Sequence, residues 1–281
     1  MDSIKNFDTK MNKYMPIFPK ATGQPTIYLE GYPCEDDEPM AATLYHGIQI
    51  SFFFDQLFRL YRSEPHILIG VDSFIYYSEG DMKKCVAPDI YVVLGAKKTP
   101  LRRSFYTWAE GAIPDTIFEF LSDSTIHEDR DRKVQIYLDE MGAKEYFIHQ
   151  PDLERPAEFR GWSRGTSGEI VEMTADTPRT LFSERLNLLF KWKVEVDLNV
   201  RLLRPYLPDG TPITTSIEEE QLREKEQHLR EEEQHLREIA EAKVEEQAEQ
   251  LRDAKNLSNQ QAEKIREQAA ELERLRQQLG K

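Results

Sequence analysis

"DTIFEFLSDSTIHEDRDRKVQIYLDEMGAKEYFIHQP" occupies residues 115–151 and sets the architecture. Its first eight residues have strand length, with Ile117, Phe118, Phe120 and Leu121 around a single carboxylate, Glu119. Thr125 and Glu128 stand in T-x-x-E spacing, the signature of a capping box at a helix start. The spacing of Val134, Tyr137, Leu138 and Met141 predicts an amphipathic helix to about Met141, and Gly142 suits the position just past its end. "KEYFIH" then reads as a second strand. A strand, a helix and a strand joined this tightly form a βαβ unit, so the two strands should lie parallel.

Working outward, Leu44, Ile48, Phe52, Leu57 and Leu60 fall near helical spacing and predict a helix within 41–62. "HILIGV", "SFIYYSE" and "PDIYVVLG" read as strands before the central unit. After it, "EFRGWSRGTSGEIVEM" reads as a hairpin, followed by "LNLLFKWKVEV" and "VRLLRPYLPDG". The order of elements predicts an α/β fold: a mixed β-sheet flanked by helices. Residues 1–35 read as an irregular N-terminal arm, and 36–210 as the folded domain.

From Ser216 the composition changes. The last 66 residues hold 12 Lys and Arg against 18 Asp and Glu, with no aromatic, cysteine or proline. "EQHLREEEQHLRE" repeats at seven residues, with Leu222, Leu229 and Leu236 at one heptad position. Glu226 and Glu233 fill the partner position, and Val244 and Leu251 continue the stripe in a shifted phase. A long helical, coiled-coil-like tail over 216–281 follows. It suits either self-association into a homo-oligomer or the capture of another helical chain, against a solvated helix with no seam.

The 281 residues carry a formal net charge of −14, which argues mildly against nonspecific binding to nucleic acid. Two cysteines, Cys34 and Cys85, make no disulfide framework. The opening residues are too mixed for a secretory leader, and no apolar run approaches bilayer length. The expectation is a cytoplasmic protein with no membrane partner.

The chemistry centres on Glu119. Alternate strand residues share a face, so Glu119 lies between Ile117 and Leu121 on its own face. An ionised carboxylate there needs a cation, a metal or a proton. An arginine in a structural ion pair would meet that need. Asp89, opening the run "DIYVVL" after Pro88, raises the same question less strongly. Lys133 borders the apolar stripe of the central helix, near Asp129, and a helix that follows a strand starts near that strand's C-terminal end. Lys133 is therefore expected to lean back toward Glu119. Two carboxylates on neighbouring strands would hold a hard divalent cation through oxygen.

"PDI" at 88–90, "FEFLSDST" at 118–125, Asp129, Lys133 and Tyr137 at D-x3-K-x3-Y spacing, and "GAKEYFIHQP" at 142–151 resemble the Uma-type restriction endonuclease family. That family belongs to the PD-(D/E)XK nuclease superfamily. "DDEPMAATLYHGIQ" at 36–49 and "RRSFYTWAEGAIPD" at 102–115 resemble further segments of it. The resemblance covers roughly residues 30–205 and implies a restriction-endonuclease-like core acting on DNA. It implies catalysis by Asp89, Glu119 and Lys133, and metal binding by Asp89, Glu119 and the carbonyl of Phe120. It also implies Mg²⁺, or Mn²⁺ in its place, and phosphodiester hydrolysis by a metal-activated water without a covalent intermediate. Glu38 and His46 match weaker family positions near the first helix, and Asp129, from the D-x3-K-x3-Y match, joins them as a further candidate. The chain departs from the pattern at Leu121, where the superfamily lysine usually stands, and that role passes to Lys133. It departs again at Asp123 and Gln150, which replace a proline and an aspartate. The contrasting implication is a nuclease-like fold without activity, serving as a binding or assembly module through its tail.

Overall fold

The computed structural model describes Gly23, Tyr32, residues 43–122, 128–174, Thr177 and residues 179–279, without the side chains at 128, 129 and 277–279. Most of the N-terminal arm, Glu38 and the Thr125 cap lie outside the described residues. The chain divides into two units, Met1–Ser216 and Ile217–Lys281.

The first unit is mixed α/β. Its main sheet has six strands: β1 (Ile67–Val71), β4 (Ile90–Leu94), β6 (Thr116–Phe120), β7 (Glu145–His149), β8 (Phe159–Arg164) and β9 (Ile170–Glu172). They lie in the order β1-β4-β6-β7-β8-β9. β6 and β7 pair in parallel and every other neighbouring pair is antiparallel. All five residues of β6 and all five of β7 are buried. That is why the two central strands read as continuous apolar runs: both faces are covered. A three-stranded sheet is made by β2 (Ile75–Tyr76), β3 (Cys85–Val86) and β5 (Phe105–Tyr106). Another is made by β10 (Thr180–Ser183), β11 (Leu188–Glu195) and β12 (Val200–Tyr206).

Two cores sandwich the central sheet. On one face Ile117, Leu121 and Tyr91 pack with Val134, Tyr137, Leu138 and Met141 of the crossover helix. On the other, Phe118, Phe120 and Phe147 pack with Phe190 of β11 and with Phe53 and Leu57 of α1 (Leu44–Leu60). α1 docks through polar groups as well. The buried Gln49 side chain donates to Leu203 O at 3.1 Å and accepts from Leu203 N at 2.7 Å. That reciprocal pair satisfies an amide and two β12 backbone groups at once, so an otherwise costly buried polar side chain fixes α1 in place. The N-cap of α1 is Thr43, whose hydroxyl accepts from His46 N.

Two elements go beyond the sequence reading. "WAEGAIP" begins with a short helix, α2 (Thr107–Glu110), closed by Gly111 in the left-handed conformation at φ 65°. The crossover helix is largely π-helical, over Glu128–Arg132 and Gln135–Met141, with Lys133 and Val134 between the two segments. Apolar spacing alone does not separate this wider helix from an α-helix, and π turns occur frequently at functional sites. Its end follows the expectation, with Gly142 at φ 84° capping the helix.

The second unit is made by α3 (Ser216–Leu279), 64 residues long, whose first residue is the last of the first unit. No helix among the described residues is long and apolar enough to cross a membrane.

Candidate active site

The site lies where β1, β4 and β6 come together at one end of the sheet. Val71 pairs with Ile90, and Ile90 with Phe118. One step further, the antiparallel registers set Asp72 opposite Asp89 and Asp89 opposite Glu119. The Asp72 N–H donates to Asp89 O at 3.1 Å, which extends the β1–β4 ladder by that step. Three acidic residues thus stand in one row across three adjacent strands. Asp89 and Glu119 are buried, at 9% and 4% exposure, and Asp72 is exposed.

Each buried carboxylate is held by specific donors. Glu119 Oε1 accepts from Lys133 Nζ at 2.8 Å and from the Tyr137 hydroxyl at 2.5 Å. Lys133 and Tyr137 are four residues apart on the crossover helix, which brings both to the same carboxylate. The buried Glu119 is thus ion-paired with Lys133. Asp89 Oδ2 accepts from the Phe120 N–H at 2.6 Å, and Asp89 Oδ1 lies 2.9 Å from His46 Nε2. α1 carries His46, so the buried Gln49 contact that seats this helix also aims the imidazole. Burial is the largest single effect on the His46 imidazole and pushes its pKa down, and the Asp89 hydrogen bond opposes it. Together with the charges of Asp89, Glu119 and Asp72, that bond leaves His46 above its ordinary value.

The structure brings Asp89, Glu119, Lys133, His46 and the Phe120 backbone together. Glu38 and the Asp129 side chain lie outside the described residues. Asp72 was not singled out in the sequence. Its signal was faint: an aspartate closing the run "HILIGV", in the left-handed region at φ 41°, where Asp is among the tolerated residues.

The donor set can be tested against a hard cation on its own chemistry. Asp89 and Glu119 supply anionic oxygens at opposed register positions, and Phe120 carries a main-chain carbonyl beside them. A carboxylate offers about four acceptor positions, and Asp89 has two of them taken, by His46 and by Phe120. The residue types fit Mg²⁺ or Mn²⁺. Among the described residues, no group of three or more His, Cys, Asp and Glu side chains is arranged to hold a metal.

Other cationic, aromatic and imidazole side chains of this unit have structural roles. Lys98 Nζ donates to Tyr61 O at 2.6 Å and to Arg62 O at 3.2 Å, just past the C-terminal end of α1. Arg102 is forked onto Glu110, and both side chains are almost fully buried. Trp162 stacks on Tyr146 in the core, and Trp108 packs against Tyr32 and Tyr106. His149 is buried among Phe120, Phe159 and Trp192.

No family model and no curated protein matches this chain. Among solved structures, it is similar to a crystal structure described as a "putative nuclease belonging to DUF820" from Anabaena variabilis ATCC 29413. The two are 13% identical, with a TM-score of 0.36 over 52% of this chain and 76% of the other.

Proposed function

We propose that the chain is a Mg²⁺-dependent DNA endonuclease that hydrolyses phosphodiester bonds. The observation that carries this reading is that Asp89, one residue before β4, is tied to the adjoining β6 beside Glu119 by the bond from the Phe120 N–H to its Oδ2, with Lys133 Nζ 2.8 Å from Glu119 Oε1. The family resemblance assigns the same three residues and supports it. Asp89, Glu119 and the Phe120 carbonyl would hold the cation. Bound there, it supplies Lewis-acid polarisation of a phosphate and lowers the pKa of a coordinated water. The protein's own part is positional and electrostatic. The Phe120 N–H and His46 fix the rotamer of Asp89, and Tyr137 fixes that of Glu119. Lys133 places a positive charge where a phosphate would gain negative charge during attack.

The purified chain should nick supercoiled plasmid DNA with Mg²⁺ or Mn²⁺ and stop on addition of EDTA. Glu119→Gln removes a ligand charge with little change in volume and should abolish cutting. Because it also leaves Lys133 without its carboxylate it should lose stability, and circular dichroism below its midpoint checks that the assayed protein is folded. A Glu119→Gln protein that cuts as fast as the parent overturns the assignment.

A second reading, a catalytically inactive module for binding or assembly, draws on one specific arrangement. Lys133 and Tyr137 both donate to Glu119 Oε1, and a carboxylate held in this way is stable without any metal. On this reading the parent and Glu119→Gln proteins bind DNA alike and neither cuts it.

A further inference from the structure

The apolar residues of α3 are laid out for its own straight geometry. A seven-residue step falls about 20° short of two full turns of an α-helix. Leu222, Leu229 and Leu236 therefore drift around the helix in one direction. The next step, from Leu236 to Val244, is eight residues and turns the stripe back by about 80°. Leu251, Ile265 and Leu272 then drift over the same sector again. Ile239, Leu257 and Leu275 recur every eighteen residues, about five full turns, and widen the stripe along one side. The stripe is solvent-facing throughout, with Val244 65%, Leu251 73% and Ile265 65% exposed.

Charges interrupt this stripe toward its two ends: beyond Glu218 and Glu226 at the start, the innermost are Glu233 on one side and Arg276 on the other. Both are exposed. They lie equally far from a point between Ala254 and Lys255. We propose that α3 pairs with α3 of a second copy of this chain, antiparallel, about a twofold axis at that point. In that register Glu233 of each copy meets Arg276 of the other. The apolar layers agree with it: Val244 falls opposite Ile265, and Ala240 opposite Ala269. The flanks agree as well. Arg237 and Glu273 lie about 90° to one side of the stripe's centre, Glu246 and Lys264 about 90° to the other. An antiparallel twofold pair brings like flanks together, so Arg237 meets Glu273 and Glu246 meets Lys264. Arg237 already bonds Glu241 on its own helix at 3.3 Å, and the second copy would extend that pair into a network. Lys255 lies near the axis, where its long side chain can turn to solvent. An in-register parallel pair would instead set Glu233 against Glu233 and Arg276 against Arg276. That like-charge juxtaposition decides the direction.

The test is a charge-swap cycle on the full-length protein, read by sedimentation. Glu233→Arg alone places two like-charge contacts in the antiparallel seam, as does Arg276→Glu alone. Each single variant should weaken dimerisation about tenfold. The double variant restores opposite charges and should return to within about twofold of the parent. A double variant as weak as the singles overturns the antiparallel register, as do single variants that dimerise like the parent. A full-length parent that sediments as a monomer at tens of micromolar overturns the pairing itself. Circular dichroism confirms that each variant keeps its helix, since every changed side chain is exposed.

Discussion

Lys133 Nζ sits 2.8 Å from Glu119 Oε1, with the two side chains only 16% and 5% exposed. The pair joins the crossover helix to the central strand of the main sheet. Breaking a buried ion pair by removing one partner typically costs about 3–5 kcal/mol, because the remaining charge is left uncompensated. Lys133→Met should therefore destabilise the protein by about 3 kcal/mol, with Tyr137 still supporting Glu119. Adding Glu119→Gln to Lys133→Met removes the stranded charge and should recover part of that loss. Urea denaturation of the two single variants and the double variant measures the coupling, and simple additivity would contradict it.

Tyr137 reaches the same oxygen from one helical turn further on. A hydrogen bond to a charged acceptor contributes about 1.5–3 kcal/mol. Tyr137→Phe should cost about 2 kcal/mol in stability, since the ring keeps its packing against Tyr146. Its effect on plasmid cutting should be smaller than that of Glu119→Gln, because the carboxylate keeps its charge and its lysine. A Tyr137→Phe protein as inactive as Glu119→Gln would give the hydroxyl a direct part in the chemistry.

His149 gives the fold an acid limit. Burial lowers its pKa from the ordinary 6.5 to about 4; the Nε2 hydrogen bond to Arg201 O opposes this, and the Arg201 charge adds to it. The unfolded chain then takes up a proton at a higher pH than the folded one. Stability from neutral burial is complete above pH 6.5 and is lost as pH falls toward about 4, by roughly 3 kcal/mol for this one group. His149→Leu should lower stability at pH 7.5 by removing the bond to Arg201 O. It should also flatten the dependence between pH 6.5 and 4.5. Denaturation series at several pH values check it, and an unchanged slope would place the acid sensitivity elsewhere.

The central βαβ unit was legible because its cause is local: β6 and β7 are apolar at every position facing either core, apart from paired polar groups such as Glu119 and His149. Gly142 was legible for the same reason, as the conformation it supplies is set within one turn. The site was legible in part. Glu119 announced itself by its place in an apolar strand, and Lys133 by its place two turns into the following helix. The bond from His46 to Asp89 spans 43 residues and depends on how α1 docks. The place of Asp72 depends on the β1–β4 register, which no local pattern states. The partners of Lys98 and Arg102, the carbonyls beyond α1 and the buried Glu110, are likewise brought to them only by the tertiary fold.

The account stands on Asp89 and Glu119 acting together as a divalent-cation site. Binding of Mn²⁺ to the full-length protein, followed by the loss of the free-ion signal in electron paramagnetic resonance, measures that without reference to any DNA. The parent should bind Mn²⁺ and release it to excess Mg²⁺, while Asp89→Asn and Glu119→Gln each weaken binding at least tenfold. Equal Mn²⁺ binding by the parent and both variants would contradict the site, and with it the catalytic reading of this end of the sheet.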